Sequence, residues 1–139
     1  MANPSGSIVP LIGRILLSSV FIIAGFGKLG GFKMEEGFVA SKHLPLPAVA
    51  LGIAMIIELV GGLAILVGLY TRFAAWIVFL YMIPITFLFH NFWTLQGAER
   101  MDMMLHFEKN VAIMGGLLIL ATFGPGAFSI DAARAPKSA

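Results

Sequence analysis

Apolar residues run almost unbroken along four stretches of this chain, separated by short polar segments and by glycine- and proline-bearing turns. Residues 8–29, 48–70 and 73–93 each exceed the roughly 20 residues an α-helix needs to cross about 30 Å of hydrocarbon. Little more than Thr71 and Arg72 separates the second stretch from the third, so these two helices form an antiparallel hairpin. The fourth stretch is less regular. Its purely apolar part, residues 111–123, reaches only about 20 Å as a helix, too short to span. The helix-breaking Gly124-Pro125-Gly126 fixes its end, so a full span begins near Met104, takes Asp102 as its N-cap and carries His106, Glu108, Lys109 and Asn110 in its first turns. The pattern predicts an all-α integral membrane four-helix bundle. Its spans are approximately 8–29, 48–70, 73–93 and 104–123, in a single membrane domain covering 1–139.

Composition strengthens this reading. Of 139 residues, 59% are hydrophobic and 12% charged, and the mean hydropathy is +0.96, far from an ordinary soluble domain. The lipid bilayer is the expected surrounding. With no cysteine, disulfides, cysteine-held iron–sulfur clusters and c-type haem attachment are excluded. A net charge of +2 without a basic stripe excludes nucleic acid as a partner. The opening MANPSGS has no basic residue, unlike a secretory leader, so the first helix is expected to be retained.

Four spans place both termini on one side, and the first and third loops on the other, here called the loop face. Lys28, Lys33, Lys42, Arg100 and Lys109 lie toward the loop face, and Arg14, Arg72, Arg134 and Lys137 toward the terminus face. This near balance does not set orientation by the positive-inside rule. The first loop contains FKMEEGFVASK, whose Phe32, Met34, Phe38 and Val39 suit a short interfacial helix, followed by HLPLPA, expected to be extended.

Candidate chemistry concentrates on polar residues inside the spans. Glu58 stands alone in an otherwise uncharged run, about 15 Å from the loop face and close to the midplane. Arg14, Ser18, Phe21, Gly25 and Lys28 form one seam of the first helix, Ala54, Glu58, Gly61 and Gly62 share a face of the second, and Phe79, Met82, Thr86 and His90 a face of the third. Two readings of Glu58 stand side by side: a proton-carrying or ligand-binding carboxylate, or a structural ion pair with Arg14 or Lys109. Lys109 and Asn110 suit a quinone carbonyl or an anionic head group, against snorkelling by the lysine and a helix-joining hydrogen bond from the amide. Lys28 reads first as an interfacial anchor. His90 and His106, without a carboxylate or thiolate companion set, predict no metal site, and His90 reads as an interfacial hydrogen-bonding group.

Several stretches in order resemble the DoxX family of small four-helix membrane proteins: GRILLSSVFIIAGFGKLGGF at 13–32, HLPLPA at 43–48, ELVGGLAILVGLYTRFAA at 58–75, FLFHNFW at 87–93 and HFEKNVAIMGGLLILATFGPGAFSID at 106–131. The resemblance implies a multi-pass protein of the bacterial inner membrane. It also implies association with quinol- or quinone-linked oxidoreductases, as a subunit or accessory factor. On that basis the expected function is a redox accessory subunit that binds a quinone-like lipid or a partner protein in a polar pocket around Glu58, Arg14, Lys109, Asn110, Lys28 and His90. No intrinsic cofactor is expected beyond a bound quinone, and catalysis would need redox-enzyme partner subunits. The rival readings are a small proton-coupled transporter or permeability factor and a non-catalytic scaffold or assembly protein. The sequence also leaves self-association into a homo-oligomer open.

Overall fold

In the computed structural model, which describes residues 6–135, the four expected membrane helices are present and no strand occurs among the described residues. Helix α1 runs Val9–Gly30 and is followed by the interfacial helix α2, Phe32–Ser41. The second span, α3, runs Pro47–Val67, α4 runs Thr71–Phe89, and α5 runs Gly97–Phe123. A short α6, Ile130–Arg134, closes the described chain, so Lys137 lies outside the described residues.

The small-residue faces explain how the helices meet. A side-chain carbon on Gly61 would stand 2.6 Å from Val78 of α4, one on Gly25 of α1 2.6 Å from Leu59, and one on Gly62 3.0 Å from Ile22. These glycines let α1, α3 and α4 approach backbone to backbone, as packing within lipid requires. The core at this level comprises Phe21, Ile65, Val78, Met82, Leu117 and Ala121 with their neighbours. The seam Arg14, Ser18, Phe21, Gly25 of α1 is buried, as its spacing predicts. In α4 the buried face follows Val78, Met82, Thr86 and Phe89, with Phe79 and His90 at its margins.

Helix α3 is not a uniform α-helix. Residues Ile57–Gly61 form a π-turn, widening the backbone around Glu58. The extra residue per turn is what brings both Gly61 and Gly62 into the packed interior along with Glu58.

Two expectations need correction. Helix α5 begins at Gly97, after an extended Gln96, and Asp102 lies exposed within it rather than capping it. Gly97 takes a positive φ of 61°, which turns the chain into the helix seven residues before Met104. Spanning about 40 Å, the helix projects past the hydrocarbon, and the 102–109 segment does not have to bury its charges. The HLPLPA segment is a tight turn rather than extended: His43 and Leu46 both adopt left-handed backbone angles. Leu44 packs against the small cluster of Val39, Leu51 and Phe89, so the turn folds α2 down onto the loop end of the bundle.

Candidate functional site

Glu58 is 5% exposed and sits between three helices. Lys28 Nζ donates to both of its carboxylate oxygens, at 3.0 and 2.9 Å, and the Tyr81 hydroxyl donates to Oε1 at 2.7 Å. The partner of Glu58 is therefore Lys28, not Arg14 or Lys109, and Lys28 is no interfacial anchor. Helix direction explains this. Side chains tilt toward the N-terminus of their own helix. In α1 that tilt carries Lys28 inward from the loop face, and in the antiparallel α3 it carries Glu58 outward to meet it.

The same rule separates Arg14 from the cluster. Its side chain is directed to the terminus face, where Nη1 donates to the carbonyls of Ile65 and Leu66 and Nη2 to that of Phe128. Lys109 of α5 is exposed on the outside of the bundle, with its tilt toward the loop face. Asn110, one residue on, donates to the Thr86 hydroxyl at 3.2 Å, while that hydroxyl donates to the Met82 carbonyl. It joins α4 to α5 and does not reach Glu58. His90 ends α4, its ring stacked on His106 and its Nδ1 3.3 Å from the Met103 sulfur.

Tyr81 is the member of this cluster that the sequence reading missed. Its signal was its depth: ten residues into α4, about 15 Å from the terminus face, it lies far from the interfacial belts where tyrosine normally sits. A second missed group is Asp131. Its carboxylate receives the N–H groups of Tyr70 and Thr71 and the Thr71 hydroxyl, and its own N–H donates to Gly68. Partial burial works to raise the Asp131 pKa, but the bonds from Thr71 and Tyr70 and the charge of Arg134 outweigh it and hold the carboxyl below its ordinary value.

The Lys28–Glu58–Tyr81 cluster forms one end of a cavity of about 410 Å³. Its walls are mostly apolar side chains of α3 and α4, among them Leu51, Ala54, Ile85 and Phe89, with His90 at the end of α4 and Glu35 of α2 as further polar lining. Helix α2 covers it through Phe38 and Val39, with the Phe38 ring 5.6 Å from Phe89. The first loop is thus a lid on the polar site. The third N–H of Lys28, the remaining lone pairs of Glu58 and the oxygen of Tyr81 are the polar groups of this cluster left for a guest, and partial burial strengthens what they bind.

Fold and site together define a multi-pass four-helix membrane protein with a polar cluster enclosed at mid-depth. The chain belongs to the DoxX family, whose family model matches residues 9–91. It is 37% identical over 121 residues to inner membrane protein YphA of Escherichia coli, covering 87% of this chain and 86% of that one. It is 38% identical to inner membrane protein YqjF of the same organism, covering 87% of this chain and 88% of that one. A weaker likeness, 26% over 77 residues, links it to the ER-derived vesicles protein ERV29 of Saccharomyces cerevisiae, with 55% of this chain covering 25% of that protein. No solved structure matches. The chain is a multi-pass inner-membrane protein.

Proposed function

We propose that the chain is a subunit or accessory factor of a quinone-linked membrane redox system, holding the ring of a quinone-like lipid against Lys28, Glu58 and Tyr81. The observation that carries this reading is the cluster itself: a largely buried ion pair and a phenol at one end of a cavity whose walls are mostly apolar, with Glu35 of the first loop and His90 as its other polar lining. A volume of about 410 Å³ suits one substituted ring, within the roughly 300–1,000 Å³ of small-molecule sites. A ring carbonyl would accept the third N–H of Lys28 Nζ, and a quinol hydroxyl would donate to Glu58 or to the oxygen of Tyr81, whose own proton goes to Glu58. Ile53, which lines the cavity and is 54% exposed on the outside of α3, marks the side from which a tail would leave into lipid. The chain has no cysteine to hold a cluster, so this reading gives the electron carrier to a partner redox-enzyme subunit.

The π-turn favours a second reading, a proton-coupled transporter, because such turns recur at working sites and this one holds a carboxylate near the midplane. One experiment separates the two. The full chain is solubilised gently from its native membrane, its lipid extract is analysed by mass spectrometry, and the same preparation is reconstituted for proton-flux measurement. Retained quinone, lost about tenfold in Tyr81→Phe and Lys28→Met, is the expected result. Proton flux by the unaltered chain that is abolished in the Lys28→Met/Glu58→Gln double variant, which keeps most of the stability, with no retained quinone, would transfer the assignment to transport.

A further inference from the structure

The helices α1 and α5 do not close on each other along the terminus half of the bundle. Between them runs a second groove of about 670 Å³, almost wholly apolar, floored where Gly13 and Gly116 contribute no side chain. It extends from Val9 to Val20 on α1, about 16 Å, which matches one leaflet of a hydrocarbon layer roughly 30 Å thick.

Partway along this groove stands Arg14, which is 1% exposed and whose side chain is directed toward the terminus face. Its two terminal nitrogens go to backbone carbonyls, and its Nε is buried with no hydrogen-bond partner among the described residues. No acid lies within ion-pair distance of it among the described residues. Asp131, whose field reaches Arg14, has both oxygens engaged by Tyr70 and Thr71. Arg72 adds a second cation on the terminus side, lying against Gly124, which also lines the groove. A buried guanidinium with no acid in ion-pair contact among the described residues, next to an apolar channel one leaflet long, is complementary to a molecule with an anionic head and a hydrocarbon chain.

We infer that this groove is a binding site for an anionic glycerophospholipid, with one acyl chain lying along Gly13, Leu17, Val20 and Gly116 and its phosphate held at Arg14 and Arg72. The site is separate from the Lys28–Glu58–Tyr81 cavity, and its occupancy does not depend on what that cavity binds. The lipid supplies a contact charge that no acid among the described residues places beside Arg14.

The test is native mass spectrometry of the full chain released from bilayer discs of equimolar phosphatidylcholine and phosphatidylglycerol. Retained phosphatidylglycerol is expected to exceed retained phosphatidylcholine about tenfold. Gly13→Leu fills the groove at a position where nothing stands within 4 Å of an added side-chain carbon, so folding is preserved while the lipid is lost. Arg72→Gln is expected to lower the preference severalfold and leave total lipid nearly unchanged. Arg14→Gln removes three carbonyl contacts as well as the charge, which is why the inference is tested on the other two positions. Equal retention of the two lipids by the unaltered chain, or unchanged retention in Gly13→Leu, would overturn it. So would a lipid-free dimer that Gly13→Leu dissociates, because a second copy would then be the occupant.

Discussion

The carboxylate of Asp131 receives both the backbone N–H and the hydroxyl of Thr71, at 2.8 and 2.7 Å, so the C-terminal helix caps the first turn of the third span. The bond reaches across sixty positions of sequence and supplies a helix N-terminus with the acceptor that its own preceding residue, Tyr70, does not provide. It also locks the Gly68–Tyr70 turn, through the Asp131 N–H on the Gly68 carbonyl.

Because these bonds depress the Asp131 pKa in the folded chain, the sign of its contribution is fixed. The stability it confers is fully present above the unfolded value near 3.8 and is lost as pH falls through the lower folded value. Thermal scans in detergent from neutral pH to below pH 3 should show a loss of stability in that acid window, reduced in Asp131→Asn. An acid transition identical in the variant would assign it to other carboxylates.

Breaking the buried pair should be costly, and replacing it should not. Glu58→Gln leaves Lys28 without its counter-charge and is expected to lose about 3–5 kcal/mol. Lys28→Met combined with Glu58→Gln should recover most of that loss, since a buried pair replaced by uncharged groups is often close to neutral. A double-mutant cycle by chemical or thermal unfolding measures the coupling, and additive losses would mean that the pair contributes nothing.

The glycines should divide by what surrounds them. Gly68 has a φ of 72°, and an added side-chain carbon would strike the Arg14 guanidinium and Ser129. Gly68→Ala is therefore expected to lose about 3 kcal/mol or more. Gly61→Ala, facing Val78 at 2.6 Å, should fall between that and no effect. Gly115 has open space around it, so Gly115→Ala should be neutral or stabilise by up to about 1 kcal/mol. Equal melting temperatures for Gly68→Ala and Gly115→Ala would contradict the docking of the C-terminal segment on this turn.

Adjacent residues of α5 should behave differently. Asn110→Ala removes the bond to Thr86 that joins two spans and is expected to cost about 0.6–1.7 kcal/mol. Lys109→Gln, on the exposed face, should change stability by less than about 0.5 kcal/mol. Unfolding of the two variants side by side checks the pair, and a larger loss at Lys109 would place that lysine inside the bundle.

Length and hydropathy alone determined the four spans, the hairpin of the second and third, and the inward face of Glu58, because a bilayer admits few ways to satisfy a backbone and a lone carboxylate. The seam Arg14, Ser18, Phe21, Gly25 was legible for a related reason: small and polar residues at helical spacing have no place facing lipid. Which cation meets Glu58 was decided only in three dimensions. Depth along the helices made Arg14 and Lys109 reasonable partners, but side-chain tilt reverses between antiparallel helices and selects Lys28 instead. Tyr81 entered the cluster because the π-turn and the glycine contacts set how α3 and α4 rotate against each other, and neither is visible in hydrophobic periodicity. The charged residues of α5, Asp102, Glu108 and Lys109, went outside because Gly97 starts that helix early, giving it length to spare beyond the membrane. Asp131 and the turn it closes lie sixty residues apart in the chain, and only the folded bundle brings the acceptor to the helix end that needs it.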